Sequence, residues 1–113
     1  MINNVTDGKK GEEIAASFLQ KKGYTIIRRN FRYSRAEIDL IAQKDGIMVF
    51  VEVKKRSYNA FGYPEEAVNH SKERRIISAA EHFIYQTDWM GDIRFDIVSV
   101  MGDRVEHFED AFH

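Results

Sequence analysis

One dipeptide, Asp45-Gly46, constrains the fold of this chain more than any other feature. It separates two runs with the character of strands, Ala36 to Ala42 and Ile47 to Lys54. A two-residue type I′ turn needs positive φ at both central positions, and Asp-Gly is one of the pairs that favour it. The sequence therefore predicts an antiparallel hairpin whose register is set by this turn.

The predicted register brings charged side chains together. Asp39 is expected to face Glu52, and Glu37 is expected to face Lys54. Facing side chains in an antiparallel pair share one side of the sheet, with Cβ atoms about 4.5–5.5 Å apart. Two carboxylates at that distance repel each other unless a cation lies between them. Asp39 and Glu52 are therefore a candidate site for a divalent metal ion.

The same charges allow a simpler interpretation, in which Glu37 and Lys54 form an ion pair on a solvated sheet face. The strand after the turn argues against this interpretation. Val49 and Val51 make one of its sides apolar, and Met48 and Phe50 occupy the other, so we expect the strand to be buried on both sides. Charges at the end of such a strand are costly unless they are paired or bound to a metal ion.

Composition excludes several classes of site. The 113 residues include no cysteine, which excludes disulfides, thiolate zinc sites and cysteine nucleophiles. The four histidines are scattered, so a zinc hydrolase is not indicated. No apolar run approaches the roughly 18 residues of a membrane span, and residues 1–10 lack a signal sequence. We therefore expect one cytoplasmic domain over residues 1–113, with a core of about 8–101 and no membrane association.

The net charge of −1 conceals an uneven distribution. Residues 1–75 contain fifteen Lys and Arg against ten Asp and Glu, whereas residues 76–113 contain two against eight. Clustered basic residues can form a phosphate-binding face even when the whole chain is neutral. Six basic residues flank the hairpin charges in sequence and are predicted to contact nucleic-acid phosphates: Arg28, Arg29, Arg32, Arg35, Lys55 and Arg56.

Hydrophobic periodicity predicts the element order αβββαββ, an α/β fold. The predicted elements are a helix from about Gly8 to Lys22 with Asp7 as N-cap, a strand Tyr24–Asn30, an arginine-bearing connection Phe31–Arg35, the hairpin, a helix from Pro64 to about Gln86, and strands Ile93–Met101 and Val105–Phe108. Lys72 falls in the middle of the apolar stripe of the second helix. Its side chain either extends over the edge of the core or contacts a phosphate.

The ordered motifs resemble the PD-(D/E)xK nuclease superfamily, and within it the YraN family of small bacterial proteins, which are similar to archaeal Holliday-junction resolvases. The resemblance covers residues 8 to 100 approximately, and Ile38-Asp39 stands where the superfamily has Pro-Asp. The segments that carry it are Glu37–Ala42, Val49–Lys54, Gly11-Glu12, Gly23-Tyr24, Arg29–Arg32, Gly62–Val68, Lys72 and Arg94–Asp96.

The resemblance implies a restriction-endonuclease-like αβββαβ core with a mixed central sheet flanked by helices. It implies a metal-dependent nuclease acting on DNA, in branched or structured form, and a homodimer like the resolvases. Asp39, Glu52 and Glu12 would be ligands of Mg²⁺ or Mn²⁺, ions that accept hard oxygen donors. Lys54 would be the catalytic lysine that holds the attacking water or the transition-state phosphate.

Several alternatives stay open at this point. Glu37 could orient Lys54, bind the metal ion or form a plain ion pair with the lysine. The whole protein could instead be a non-catalytic nucleic-acid-binding accessory protein that keeps the acidic residues, or a structural interaction domain with solvated charges. Retention of all four residue types, Glu12, Asp39, Glu52 and Lys54, favours the enzyme.

Overall fold

The computed structural model describes residues 4–56 and 69–113, with side chains from residue 10 onward. Its helices and strands are α1 Asn4–Lys21, β1 Thr25–Tyr33, β2 Ala36–Lys44, β3 Ile47–Lys55, α2 His70–Thr87, β4 Asp92–Met101 and β5 Arg104–Phe108. This sequence of elements confirms the predicted order αβββαββ.

The five strands form one mixed sheet in the order β1-β2-β3-β4-β5. Neighbouring strands are antiparallel except β3 and β4, which are parallel. A parallel pair needs a crossover connection, and α2 lies within it. The predicted α/β class with a mixed central sheet is therefore confirmed.

The hairpin between β2 and β3 forms as the sequence predicts. Asp45 and Gly46 have φ values of 52° and 78°, the positive values that a type I′ turn requires. Paired residues run from Lys44 with Ile47 to Leu40 with Val51, which is the predicted register.

The sheet has a separate apolar core on each side. Ala15, Ala16 and Leu19 of α1 pack on one side, against a set that includes Val49 and Val51. The other core holds Ile76, Ala79, Ala80 and Phe83 of α2 together with Met48 and Phe50. Since Val49, Phe50 and Val51 are fully buried, β3 is covered on both sides as expected. No helix in the described part of the chain is long and apolar enough to cross a membrane.

The beginnings of both helices differ from the predictions. Helix α1 begins at Asn4, so Asp7 lies inside the helix rather than at its N-cap. Asn69 is not helical and is the N-cap of α2, its side chain accepting a hydrogen bond from the Lys72 amide at 3.0 Å. Helix α2 therefore begins at His70, later than the predicted start. Pro64 itself and the motif Gly62–Val68 lie outside the described residues.

The predicted connection Phe31–Arg35 is also wrong, because β1 continues to Tyr33 and only Ser34 and Arg35 form the turn. Pairing with β2 outweighs the weak strand preference of Asn and Arg. Arg32 pairs with Glu37, and Phe31, with 8% of its surface exposed, packs in the α2-side core.

Candidate functional site

The candidate site lies where β2 and β3 stop pairing. Beyond the pair Leu40 and Val51, the Asp39 side chain reaches across to β3, and its Oδ2 accepts a hydrogen bond from the Val53 amide at 2.8 Å. Asp39 is thus bonded to the residue that follows Glu52. The strand pairing stops before Asp39 and Glu52, so the predicted facing of these two carboxylates is replaced by this bond to the neighbour of Glu52.

A left-handed residue on β1 connects helix α1 to this place. Asn30 has a φ of 52°, a value that asparagine tolerates better than most residues. Its Nδ2 donates a hydrogen bond to Glu12 Oε1 at 3.0 Å. The sequence pattern places Asn30 only within a motif and predicts no role for it in the site. Its role follows from a backbone conformation that strand periodicity does not reveal.

Asp39 holds its proton unusually strongly. Its pKa is raised to about 6, chiefly by burial and also by the charges of Glu12 and Glu37, while the Val53 amide and the Lys72 ammonium oppose the shift. In a partly buried environment that also carries negative charge, a nearby cation stabilises the ionised form of a carboxyl group. The carboxylates that act on Asp39 are Glu12 and Glu37, whereas the sequence predicted repulsion between Asp39 and Glu52.

Glu52 is the most buried acidic group of the site, with 4% of its surface exposed. Its Oε1 lies 2.6 Å from Nζ of Lys72, which extends from the first turn of α2. Burial alone would lower the pKa of Lys72, but the hydrogen bond and charge of Glu52, with Asp39 and Glu37, raise it overall. The sequence predicted that Lys72 either extends over the edge of the core or contacts a phosphate, and neither alternative included this direct ion pair.

Two open cavities meet at Lys72. The first, of about 310 Å³, is lined by Glu52, Lys54 and Lys72, with Arg56 at its margin. The second, of about 180 Å³, is lined by Glu37, Asp39 and Lys72 together with Arg35 and Arg75. Lys54 therefore shares a cavity with Glu52, as its position two residues further along β3 predicts.

Glu37 has a different neighbour from the one predicted. It is the strand partner of Arg32 on β1, and the Arg32 guanidinium lies 2.9 Å from its carboxylate. The pairing of β2 with β3 ends at Leu40 and Val51, so the predicted facing of Glu37 and Lys54 is wrong. The predicted register is correct where β2 and β3 pair, but their pairing ends before Glu37.

The six residues predicted to contact nucleic acid fall into two groups, three that contact other side chains and three that line the cavities. Arg29 forms an exposed ion pair with Glu13 at 2.9 Å, Arg32 forms the pair with Glu37, and Arg28 lies over the rings of Phe31 and Phe83. The other three, Arg35, Lys55 and Arg56, line the two cavities. Of these six, the side chains that line the cavities are thus those of the β1–β2 turn and the end of β3.

Comparison with known proteins identifies the family. The model of the uncharacterised protein family UPF0102 matches residues 11–100 of the chain. The chain belongs to this family, also called YraN. The match spans Glu12, Asp39, Glu52, Lys54 and Lys72, and it confirms the predicted family resemblance.

Relatives of similar length support the assignment to UPF0102. A UPF0102 protein of Flavobacterium psychrophilum is 46% identical over 110 residues, covering 94% of this chain and 92% of the relative. One from Chloroherpeton thalassium is 50% identical, covering 91% and 81%. A third, from Persephonella marina, is 42% identical, covering 93% and 91%. Each is named only as a UPF0102 protein.

The donor atoms of this UPF0102 site fit Mg²⁺ or Mn²⁺. Across residues 10–56 and 69–113, no three Asp, Glu or His side chains form a ready-made metal cluster. Mg²⁺ commonly uses one or two protein carboxylates and completes its octahedron with waters and substrate phosphates. Asp39 and Glu52 are carboxylates of this type, and the charge of Glu12, which accepts the bond from Asn30, acts on Asp39.

A buried polar network on the α1 side of the sheet was missed by the sequence analysis. Asp96 is fully buried and accepts two hydrogen bonds from Arg94, at 2.8 Å each, and one contact from His107 at 2.7 Å. The Asp110 amide donates to it at 3.0 Å. The motif Arg94–Asp96 was noticed for its resemblance, but His107 and Asp110 are joined to it only by the fold.

The raised pKa of Asp39 predicts an unusual pH dependence of stability. Because the folded state binds this proton more tightly than the unfolded state, stability should fall as pH rises from about 4 to about 6. Asp39→Asn keeps an oxygen for the Val53 amide and removes the charge. In EDTA at pH 7.5, urea unfolding should show the variant more stable by roughly 1–2 kcal/mol. This value is smaller than the full pKa shift implies, because solvent in the cavity screens the charge of Asp39.

The gain from Asp39→Asn should disappear near pH 4, where the wild-type carboxyl is protonated too. Asp92→Asn makes the same chemical change at an exposed position and should alter stability little at either pH. An Asp39→Asn variant that is less stable than wild type at pH 7.5 would contradict the prediction.

Proposed function

We propose that this UPF0102 protein is a divalent-metal-dependent nuclease that hydrolyses phosphodiester bonds of DNA, acting on branched or otherwise structured forms. The single observation that carries the proposal is the hydrogen bond from the Val53 amide to Asp39, which ties Asp39 to the residue after Glu52 where β2 and β3 separate. There, Asp39 has a pKa of about 6 and Lys54 lines the same cavity as Glu52.

Asp39 and Glu52 are the residues that would hold Mg²⁺ or Mn²⁺, with Glu12 contributing through a water. The ion supplies a more acidic water and offsets negative charge on the phosphate. The protein's own part is to fix the two carboxylates. The Val53 amide orients Asp39, and burial within the end of β3 orients Glu52.

Lys54 supplies the remaining group. Its ammonium is a compact point charge on a flexible stem, suited to a phosphate oxygen or to the water that attacks it. In hydrolysis, the water oxygen forms a bond to phosphorus, the bond to a sugar oxygen breaks, and that oxygen takes up a proton. Negative charge increases on the phosphate oxygens during this step, and a cation next to Glu52 counteracts it.

The proposal is tested by a cleavage assay on linear, single-stranded, flapped and four-way DNA, each with EDTA, Mg²⁺ or Mn²⁺. We expect cleavage that needs the metal ion and prefers one structured DNA. Asp39→Asn, which keeps the Val53 hydrogen bond, should abolish both cleavage and the Mn²⁺ binding seen by calorimetry. Cleavage in EDTA, or equal Mn²⁺ binding by wild type and variant, would refute the proposed metal chemistry.

DNA binding should be strongly salt-dependent, because the cavities are bordered by Arg35, Arg56 and Arg75. The logarithm of the affinity should fall with the logarithm of salt concentration by about 0.9 for each phosphate contacted. Fluorescence anisotropy in Ca²⁺ can measure this slope without turnover. Arg35→Gln should lower the slope by about one contact.

Lys21→Gln is the matched control for this measurement, since it removes one exposed positive charge from the last turn of α1. Its slope should equal that of wild type. A salt-independent affinity, or no binding at low salt, would count against a nucleic-acid substrate. The homodimer expected from the resolvase resemblance stays a prediction.

A further inference from the structure

The ion pair between Glu52 and Lys72 joins two unlike environments. Glu52 is almost fully buried, whereas the Lys72 side chain is 51% exposed, and Oε1 and Nζ are 2.6 Å apart. A buried carboxylate needs a positive partner, because its charge is poorly solvated. Lys72 supplies that partner with a long side chain whose other half is in water.

Lys72 also responds to the other carboxylates of the site. It borders the cavity lined by Asp39 and Glu37 as well as the cavity lined by Glu52. Its ammonium thus lies where the negative charges of the site converge. This is the region in which a divalent ion bound by Asp39 and Glu52 would be placed.

The position of Lys72 in α2 is electrostatically unfavourable for the helix. It is the third residue of α2, and its amide donates to the N-cap Asn69. Positive side chains are disfavoured in the first turn, because the helix dipole is positive there. A residue that breaks a local rule in this way is often retained for function rather than for stability.

The geometry permits the ammonium to leave Glu52 without any change in the fold. The Lys72 backbone is fixed by the Asn69 cap, but several rotatable bonds separate it from Nζ. Withdrawal therefore needs only a change of rotamer towards solvent or the cavity of Glu37. The cation at Glu52 can be exchanged while α2 stays in place.

We propose that Lys72 is the internal counterion of the metal site: it neutralises Glu52 when no metal ion is bound and is displaced by the incoming divalent cation. This inference rests on the proposed metal site and goes beyond it, since it assigns Lys72 a role in metal affinity. Lys72 is then a positioning residue, which holds the Glu52 carboxylate in place before the metal ion arrives.

Calorimetric titration with Mn²⁺ tests the proposal without measuring cleavage. Lys72→Met removes the competing charge and keeps the length of the side chain, so it should bind Mn²⁺ at least tenfold more tightly than wild type. Lys72→Arg keeps the charge and should bind no more tightly than wild type. Arg74→Gln removes one exposed charge from the same helix turn and should change the affinity less than twofold.

Thermal unfolding provides a second readout. In EDTA, Lys72→Met should melt below wild type because Glu52 has lost its partner, and saturating Mn²⁺ should raise its melting temperature more than that of wild type. Equal or weaker Mn²⁺ binding by a folded Lys72→Met variant would overturn the proposal. So would a Lys72→Met melting temperature in EDTA that is unchanged.

A measurement on the wild-type protein covers the case in which Lys72→Met does not fold. In lysine-ammonium NMR, titration with diamagnetic Mg²⁺ should move the Lys72 signal towards that of a solvated side chain. A Lys72 signal that stays constant while Mg²⁺ saturates the site would overturn the counterion role and leave the metal site standing. Absence of Mg²⁺ and Mn²⁺ binding altogether would overturn both proposals.

Discussion

Lys54→Ala is expected to reduce the rate of DNA cleavage at saturating substrate by at least about 100-fold, the scale of a positioned acid–base or charge-stabilising group. Its affinities for DNA and Mn²⁺ should stay within about threefold of wild type. The reason is that Lys54 acts mainly in the transition state, when negative charge on the phosphate is greatest. An interaction made only there lowers kcat without weakening ground-state binding.

Lys55→Ala is the matched control for this prediction. Lys55 follows Lys54 on β3 and lines the same cavity, but its side chain belongs to the opposite side of the strand. It should lose some DNA affinity and keep its rate at saturation. Single-turnover cleavage and anisotropy, measured on both variants, separate the two effects.

The same pair of measurements distinguishes an enzyme from an accessory binding protein. If the wild type binds DNA but cuts none of the tested structures with any metal ion, Lys54 is one phosphate contact among several. Lys54→Ala and Lys55→Ala should then weaken binding to a similar, small extent. That outcome would favour the alternative of a non-catalytic nucleic-acid-binding accessory protein that retains the acidic residues.

Local sequence was enough to predict the hairpin that builds the site. Asp45-Gly46 sets the register, and a one-residue slip would move every apolar side chain of β3 to the wrong side of the sheet. The register from Lys44 to Leu40 was therefore predictable. The point at which pairing ends was not, because it depends on how far β2 follows β1 rather than β3.

The conformation of β1 explains much of what sequence could not reveal. Its pairing with β2 shifts between Ile26 and Arg28, and Asn30 has a left-handed backbone. Such irregularities follow from tertiary packing and break the simple alternation of sides that strand prediction assumes. The pairing of Glu37 with Arg32 was missed for a simpler reason, because the predicted first strand ended at Asn30, short of Arg32.

The start of α2 was mispredicted because two local signals compete. Proline suits a first helical turn, and Asn69 is also a good N-cap. The structure uses Asn69, which places Lys72 in the first turn and within reach of Glu52. Without that boundary, the stripe position of Lys72 suggested packing at the edge of the core.

Asp96→Ala is expected to destabilise the protein by about 3–5 kcal/mol, the typical effect of removing one partner of a buried ion pair. Asp96 is fully buried, and its loss leaves the Arg94 guanidinium without its two short hydrogen bonds. It also removes the acceptor of the Asp110 amide, which holds the chain after β5. Since the free energy of unfolding of such domains is only about 5–15 kcal/mol, the substitution should remove a large part of it.

Urea unfolding at pH 7 measures this effect, with Glu106→Ala as the control. Glu106 lies on β5, and its ion pair with Arg104, at 3.5 Å, is exposed. Exposed pairs contribute about 0–1 kcal/mol, so this variant should differ little from wild type. An Asp96→Ala variant within 1 kcal/mol of wild type would show that the network is not important for stability.

Asp96 should also dominate the acid sensitivity of the fold, in the opposite direction to Asp39. Burial alone would raise its pKa, but the hydrogen bonds from Arg94 and His107 outweigh burial and lower it to about 2. Its stabilising contribution is therefore complete above about pH 4 and is lost as pH falls towards 2. Asp96→Asn should flatten the stability profile over that interval, whereas Asp39→Asn should change it only between about pH 4 and 6. The Asp96 carboxylate thus stabilises the fold, whereas the Asp39 carboxylate destabilises it until a cation is bound.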